Sequence, residues 1–266
     1  NLGFMYDKGR GTAQDWSRAV DLYKQSCDRQ NMLGCTNLGY MYRQGRGIEK
    51  DHQRAFTLYQ RACQKGQALG CTNLGYMFEK GLSVPVDVEK AFKHYGDGCR
   101  GGSSTGCNNL GYMYEKGLGT KADLPRAVSL YTKACEDGSM RACVNIGYLH
   151  ETGRGGKREQ TKAVAFYDKA CQENFPQGCT NLGFMHEKGR GVEADAATAA
   201  GFYGKACKSD HGRGCTQLGK LYRQGRGVER DAARAANLYK KSCDSGYGEG
   251  CLHLGMLYEK GKGAPQ

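Results

Sequence analysis

The sequence predicts an all-α repeat solenoid of 36-residue helix-turn-helix units, and three observations carry that prediction. Cys27, Cys63, Cys99, Cys135, Cys171, Cys207 and Cys243 stand 36 residues apart without an insertion or deletion. Cys35, Cys71, Cys107, Cys143, Cys179, Cys215 and Cys251 keep the same period, so all fourteen cysteines fall into seven C-x7-C pairs. Within each unit, apolar and small residues follow two helical stripes separated by glycines. A fixed period of 20 to 50 residues marks an array in which each unit buries its apolar face only against its neighbours.

The first element of a unit, helix A, reads from Gly34 to Gln44, where Cys35, Leu38, Gly39 and Tyr42 recur at i, i+3, i+4 and i+7 on one face. Gly45 and Gly47 end it by supplying positive φ. Asp51 then stands at the N-cap of helix B and is repeated by Asp87, Asp123, Asp195 and Asp231, with Glu159 a poorer substitute. Helix B carries Ala55, Tyr59, Ala62 and Cys63 on one face. Pro125, two residues past Asp123, is tolerated because the first helical turn has unpaired amides.

Glycine recurs in mid-helix A as Gly39, Gly75, Gly111, Gly147, Gly183, Gly219 and Gly255. There it costs about 1 kcal/mol relative to alanine, so close helix approach is the expected return. The tyrosines of helix B (Tyr23, Tyr59, Tyr95, Tyr131, Tyr167, Tyr203 and Tyr239) supply a ring to fill the space, and are read as core. Gly96 to Ser104 holds four glycines and lacks the Ala-Cys ending found in most units, so its helix end is expected to fray.

Each cysteine pair spans the short loop from the last turn of a helix B to the first turn of the next helix A. That places the two ends within disulfide reach. Structural zinc usually takes cysteines two to four residues apart and four ligands together, which this spacing does not offer. Fourteen paired cysteines suit an oxidising compartment.

The array reads as one continuous domain, residues 1–266, of about seven repeats. Asn1 to Gly11 matches Asn37 to Gly47, and Gly261 to Gly263 matches Gly45 to Gly47, so both ends are expected to fall inside a repeat. No run of 18 apolar residues occurs, which excludes a membrane-spanning helix in this stretch. The formal charge of +12 favours acidic partners through long-range steering. No five-residue basic run or nucleic-acid motif appears, so nucleic acid is not expected.

The pattern C-x-N-L-G-Y-M-Y-x-x-G-x-G, then Asp and A-x-x-x-Y-x-x-A-C, resembles the Sel-one-like repeat, a relative of the tetratricopeptide repeat. With a cysteine pair in every unit the chain is most similar to the Helicobacter cysteine-rich protein branch. The resemblance implies a right-handed α/α superhelix, secretion, one disulfide per repeat, and a concave face lined by A helices that binds proteins or peptides. It also brings a second activity into view, since some bacterial members have been described as penicillin-binding proteins or weak β-lactamases. Ser83 in place of the second loop glycine, Gly98 before Cys99, and Lys220 with Met256 in an aromatic series depart from the pattern.

No catalytic constellation is found. S-x-x-K, S-D-N and K-T-G are absent, as is H-E-x-x-H. His150 and His186 share one position in adjacent repeats but lack further metal ligands, so they read as half-buried ring substitutions. No cofactor or metal is expected.

What remains is a surface for binding. Beside the core face of helix A runs the stripe Asn37, Tyr40, Met41 and Gln44. Its asparagines recur as Asn73, Asn109, Asn145 and Asn181 and its aromatics as Tyr76, Tyr112, Tyr148 and Phe184, with Gln217 and His253 ending the amide series. A carboxamide offers an acceptor and two donors that match a peptide group, and tyrosines give contact area at small entropic cost. The same asparagines could instead bridge repeats. The function expected is a monomeric, non-catalytic scaffold, secreted or periplasmic, for a protein or extended peptide. The alternatives are a β-lactamase or penicillin-binding protein and a mitochondrial intermembrane-space assembly factor.

Overall fold

The computed structural model describes residues 2–259; Asn1, Gly261 and Gly263 of the repeat register lie outside the described residues. All regular structure there is helical. It divides into two compact units, residues 1–138 and 139–266.

The first unit holds α1 (Leu2–Lys8), α2 (Trp16–Asp28), α3 (Met32–Gln44), α4 (His52–Gln64), α5 (Ala68–Lys80), α6 (Val88–Arg100), α7 (Ser104–Lys116) and α8 (Leu124–Glu136). The second holds α9 (Met140–Thr152), α10 (Gln160–Gln172), α11 (Pro176–Lys188), α12 (Ala196–Lys208), α13 (Gly212–Gln224), α14 (Ala232–Asp244) and α15 (Gly248–Glu259). Odd-numbered helices are the A helices and even-numbered ones the B helices.

The helix boundaries follow from local chemistry. Asp15, Asp51, Asp87, Asp123, Asp195 and Asp231 each stand at the N-cap and accept a hydrogen bond from a first-turn amide of the B helix. Glu159 makes no such bond, because its longer side chain reaches Lys162 and His150 instead. Replacing it by aspartate should therefore stabilise the second unit by about 0.5 to 1 kcal/mol. The check is a thermal melt of Glu159→Asp against the parent, and a lower midpoint would show that the present ion pairs outweigh the cap.

Helix A ends on a left-handed glycine, as at Gly45 with φ 68°. Gly47 is required for a second reason, since a Cβ there would strike the backbone of Trp16 in the preceding repeat. Ser83 takes the same left-handed conformation at φ 61° and its hydroxyl donates to the His52 carbonyl, so the turn survives the loss of glycine.

A and B helices interlock where tyrosine meets glycine. A Cβ placed on Gly39 would lie 2.8 Å from the Tyr59 ring, and the matching distance from Gly147 to Tyr167 is 2.7 Å. Tyr59, Tyr95, Tyr131, Tyr167, Tyr203 and Tyr239 are completely buried. Met41, Met77, Met113 and Met185 are buried too, with Leu149 and Leu221 at the same position. Met41 thus belongs to the core and not to the binding stripe, while Tyr42 is only half-buried. The reason is that an A helix packs against the B helices on both sides and also against the neighbouring A helix, which widens its apolar arc.

Successive A helices of a unit touch one another, α3 with α5 and α5 with α7, and likewise α9 with α11 and α11 with α13. B helices take their contacts from A helices. The A layer is therefore the crowded, inner side of each unit. Hydrogen bonds tie one repeat to the next at its edge: the Thr72 hydroxyl pairs with Ser103, and Thr180 with His211.

The glycine-rich end of α6 is regular helix. The helix runs unbroken to Arg100 with Gly96 and Gly98 buried. A Cβ on Gly98 would collide with the Thr72 hydroxyl, so glycine there admits the Thr72–Ser103 bond.

Disulfides join Cys27–Cys35, Cys63–Cys71, Cys99–Cys107, Cys171–Cys179, Cys207–Cys215 and Cys243–Cys251, with Cα atoms 4.4–4.6 Å apart. Cys135 and Cys143 are also disulfide-bonded, and no described cysteine is free. Such a set holds together in an oxidising compartment. No helix among the described residues is long and apolar enough to cross a membrane.

Candidate inner-face binding site

The proposed stripe lies on the A helices, and each unit carries part of it. In the first unit Asn37, Asn73 and Asn109 are half-buried, as are Tyr40 and Tyr76, while Tyr112 is 43% exposed. In the second unit Asn145, Asn181 and Phe184 are half-buried and Tyr148 is 46% exposed.

The asparagines are not equivalent. Asn109 accepts from the Asn108 amide at 3.1 Å and also lies against the Tyr95 hydroxyl of the preceding repeat. Asn181 accepts from Gln177 and from Arg213 of the next repeat, both at 3.4 Å. Asn145 is likewise engaged. Asn37 and Asn73 make no side-chain hydrogen bond among the described residues, so their carboxamides remain available.

The aromatic rings carry cations. Arg43 stacks 4.7 Å from the Tyr76 centroid and 5.4 Å from that of Tyr40. Arg46 lies 5.6 Å from Tyr40 and Lys116 5.7 Å from Tyr112. Arg190 covers Phe184 at 4.9 Å. Such pairs each contribute about 0.5–1 kcal/mol at exposed sites and hold both partners in place.

Below the stripe sits a row of buried hydroxyls that single-residue reading did not reveal. Tyr95, Tyr131, Tyr167 and Tyr203 donate to Glu79, Glu115, Glu151 and Glu187, sixteen residues earlier in the last turn of the paired A helix. Burial, and then the neighbouring carboxylate, push the hydroxyls of Tyr95, Tyr167 and Tyr203 far above the ordinary tyrosine range, so they stay donors. The 36-residue period held the signal: five positions of this register are glutamate, Glu259 being the fifth, and Asp7 is a sixth carboxylate, but Arg43 and Arg223 occupy the same register.

The histidines read as ring substitutions. His150 stacks on Phe166 and His186 tilts against Phe202. Cys63, His94 and Asp97 do converge, with the His94 Nδ1 3.9 Å from the Cys63 Sγ. Cys63 is bound to Cys71, however, and offers no thiolate to a metal.

The fifteen helices among the described residues, in repeated helix-turn-helix units, define an all-helical repeat solenoid. The chain belongs to the Sel1 repeat family, whose model matches residues 1–31, 33–67, 68–103, 104–139, 141–175, 176–211, 212–247 and 248–266. Repeats of this family generally act as protein-interaction scaffolds.

Among solved structures, the chain is similar to a protective antigen of uropathogenic Escherichia coli strains that displays an SLR fold, at 27% identity and a TM-score of 0.75. That match covers 98% of this chain and 56% of the antigen, so the chain spans little more than half its length. A Sel1 repeat protein from Oxalobacter formigenes is similar at 24% identity and a TM-score of 0.77, covering 91% of this chain and 95% of that one. Cysteine rich protein B of Helicobacter pylori matches at 32% identity with a TM-score of 0.40, over 49% of this chain and 93% of that one. A comparison with curated proteins finds no match.

Proposed function

We propose that the chain is a non-catalytic scaffold, secreted or periplasmic, that takes an extended protein segment along the inner face of its A helices. The observation that carries this reading is the pair of unengaged carboxamides, Asn37 and Asn73, set one repeat apart beside Tyr40 and Tyr76. Each can accept from and donate to a ligand peptide group, while the rings supply apolar contact on either side. A main-chain ladder of this kind recognises an extended segment with little regard to its sequence.

The test uses a peptide selected from a random library against the full chain. Replacing Asn37 and Asn73 together by alanine should weaken it by about 1 to 3 kcal/mol, from roughly 0.5–1.5 kcal/mol for each net hydrogen bond. The melting temperature should stay level or rise, because alanine is the better helix former. A lower melting temperature with unchanged affinity of the folded protein would make these asparagines structural and remove the site from this face.

A further inference from the structure

The last turn of the A helix is where the repeats differ in charge. Glu79, Glu115, Glu151 and Glu187 there accept the hydroxyl of a buried tyrosine. In α3 the same position is Arg43, which is a donor and cannot accept. Its partner Tyr59 is completely buried, and its hydroxyl has no hydrogen-bond partner. The Arg43 Nε is shielded from solvent and lacks a partner as well.

Buried polar groups without a partner are costly, about 1–3 kcal/mol each, and one anionic acceptor reaching both would satisfy the Arg43 Nε and the Tyr59 hydroxyl together. The surroundings agree. The Arg43 guanidinium lies between the Tyr40 and Tyr76 rings, and neither it nor Arg46 forms an ion pair among the described residues. Lys8, the next cation against Tyr40, is already paired with Asp7. This end of the first unit therefore has two uncompensated guanidinium groups against aromatic walls, a setting that favours bidentate carboxylate binding.

Resting on the scaffold reading above, we propose that Arg43 and Tyr59 form a carboxylate subsite on the inner face of the first unit, and that the bound segment is acidic, placing an Asp or Glu side chain there. The incoming carboxylate takes the role that Glu79 has for Tyr95. It accepts from the Tyr59 hydroxyl and from Arg43, whose half-exposed side chain swings aside on its stem to admit it. Arg46 lies close enough to attract the next acidic residue. Asn37 and Asn73 hold the main chain between.

The charge-reversing variant Arg43→Glu tests this without confounding folding, because it rebuilds the Glu–Tyr pair of the neighbouring repeats. The probe is an N-acetylated, C-amidated alternating Glu-Ala peptide, titrated calorimetrically against the full chain and compared with its Gln-Ala counterpart. The Glu peptide should bind at least about tenfold more tightly than the Gln peptide, and more weakly as salt is raised. Arg43→Glu should abolish that preference while melting no lower than the parent. Arg43→Gln, which keeps an acceptor for Tyr59 but removes the charge, gives the same loss should the glutamate variant fold poorly.

Equal binding of both peptides, or a preference that survives Arg43→Glu, overturns the subsite and leaves the asparagine ladder standing. If neither peptide binds, the ladder reading falls with it. A Gln-Ala peptide that binds only with a free C-terminus would assign the anion to a chain end and overturn the side-chain proposal.

Discussion

Full reduction should unfold the protein at room temperature. Each cysteine pair closes a loop with a sequence separation of only 8, worth roughly 2 to 3 kcal/mol on the chain-entropy account. Seven such closures sum to on the order of 15 to 20 kcal/mol, as large as the whole net stability of an ordinary domain, about 5–15 kcal/mol. The core that would have to compensate is thin. Between the tyrosines it is lined by Ala55, Ala91, Ala127, Ala163, Ala199 and Ala235 and by mid-helix glycines. Each repeat contacts only its neighbours, so no central core takes up the loss. The measurement is far-ultraviolet circular dichroism during titration with a phosphine reductant, with thiols counted by alkylation. Helical signal should fall as thiols appear. A reduced protein that keeps its helical signal and its melting temperature would show that tyrosine–glycine packing suffices without the cross-links.

Much of this architecture was legible because the chain states it repeatedly. A single aspartate before a helix is weak evidence, but Asp51, Asp87, Asp123, Asp195 and Asp231 at one register leave little doubt, and all five cap their helices. The exception, Glu159, also failed to cap as its geometry requires. Gly39 and Tyr59 could be paired by size alone. What periodicity hid was direction. Tyr42 and Met41 are neighbours in sequence, and a one-sided helical stripe puts Tyr42 in the core, whereas a helix packed on several sides buries Met41 more deeply.

Side-chain engagement was equally hidden. Asn73 and Asn109 are identical in pattern, yet Asn109 has Asn108 beside it to bond, while the matching residue of the previous repeat is Thr72, which turns to Ser103. The proposed site is thereby displaced from the centre of the asparagine series, where regularity alone would put it, towards Asn37 and Asn73. Arg43 follows the same logic: it stands out only once Tyr95 and Glu79 are seen as a pair and Tyr59 is seen to lack one.

The tyrosine–glycine interlock should show itself as energetic coupling in the second unit. Tyr167 is completely buried, its ring fills the space above Gly147, and its hydroxyl donates to Glu151 at 2.9 Å. Tyr167→Ala should cost about 3–5 kcal/mol, the range for emptying an aromatic site. Tyr167→Phe keeps the ring and leaves Glu151 with its Arg190 partner, so its cost should be only about 1 kcal/mol. Gly147→Ala sets two effects against each other. Helix propensity returns about 1 kcal/mol, but the new methyl would stand 2.7 Å from the Tyr167 ring, and overpacking of that kind typically costs 1–3 kcal/mol. The clash should win. In the Tyr167→Ala background the ring is gone, so Gly147→Ala should become stabilising, giving a coupling energy of about 1–3 kcal/mol. Urea unfolding of the four proteins, with hydrogen exchange at α9 and α10 to locate the loss, measures it. Additive effects across the cycle would mean that glycine at this position serves something other than the ring opposite.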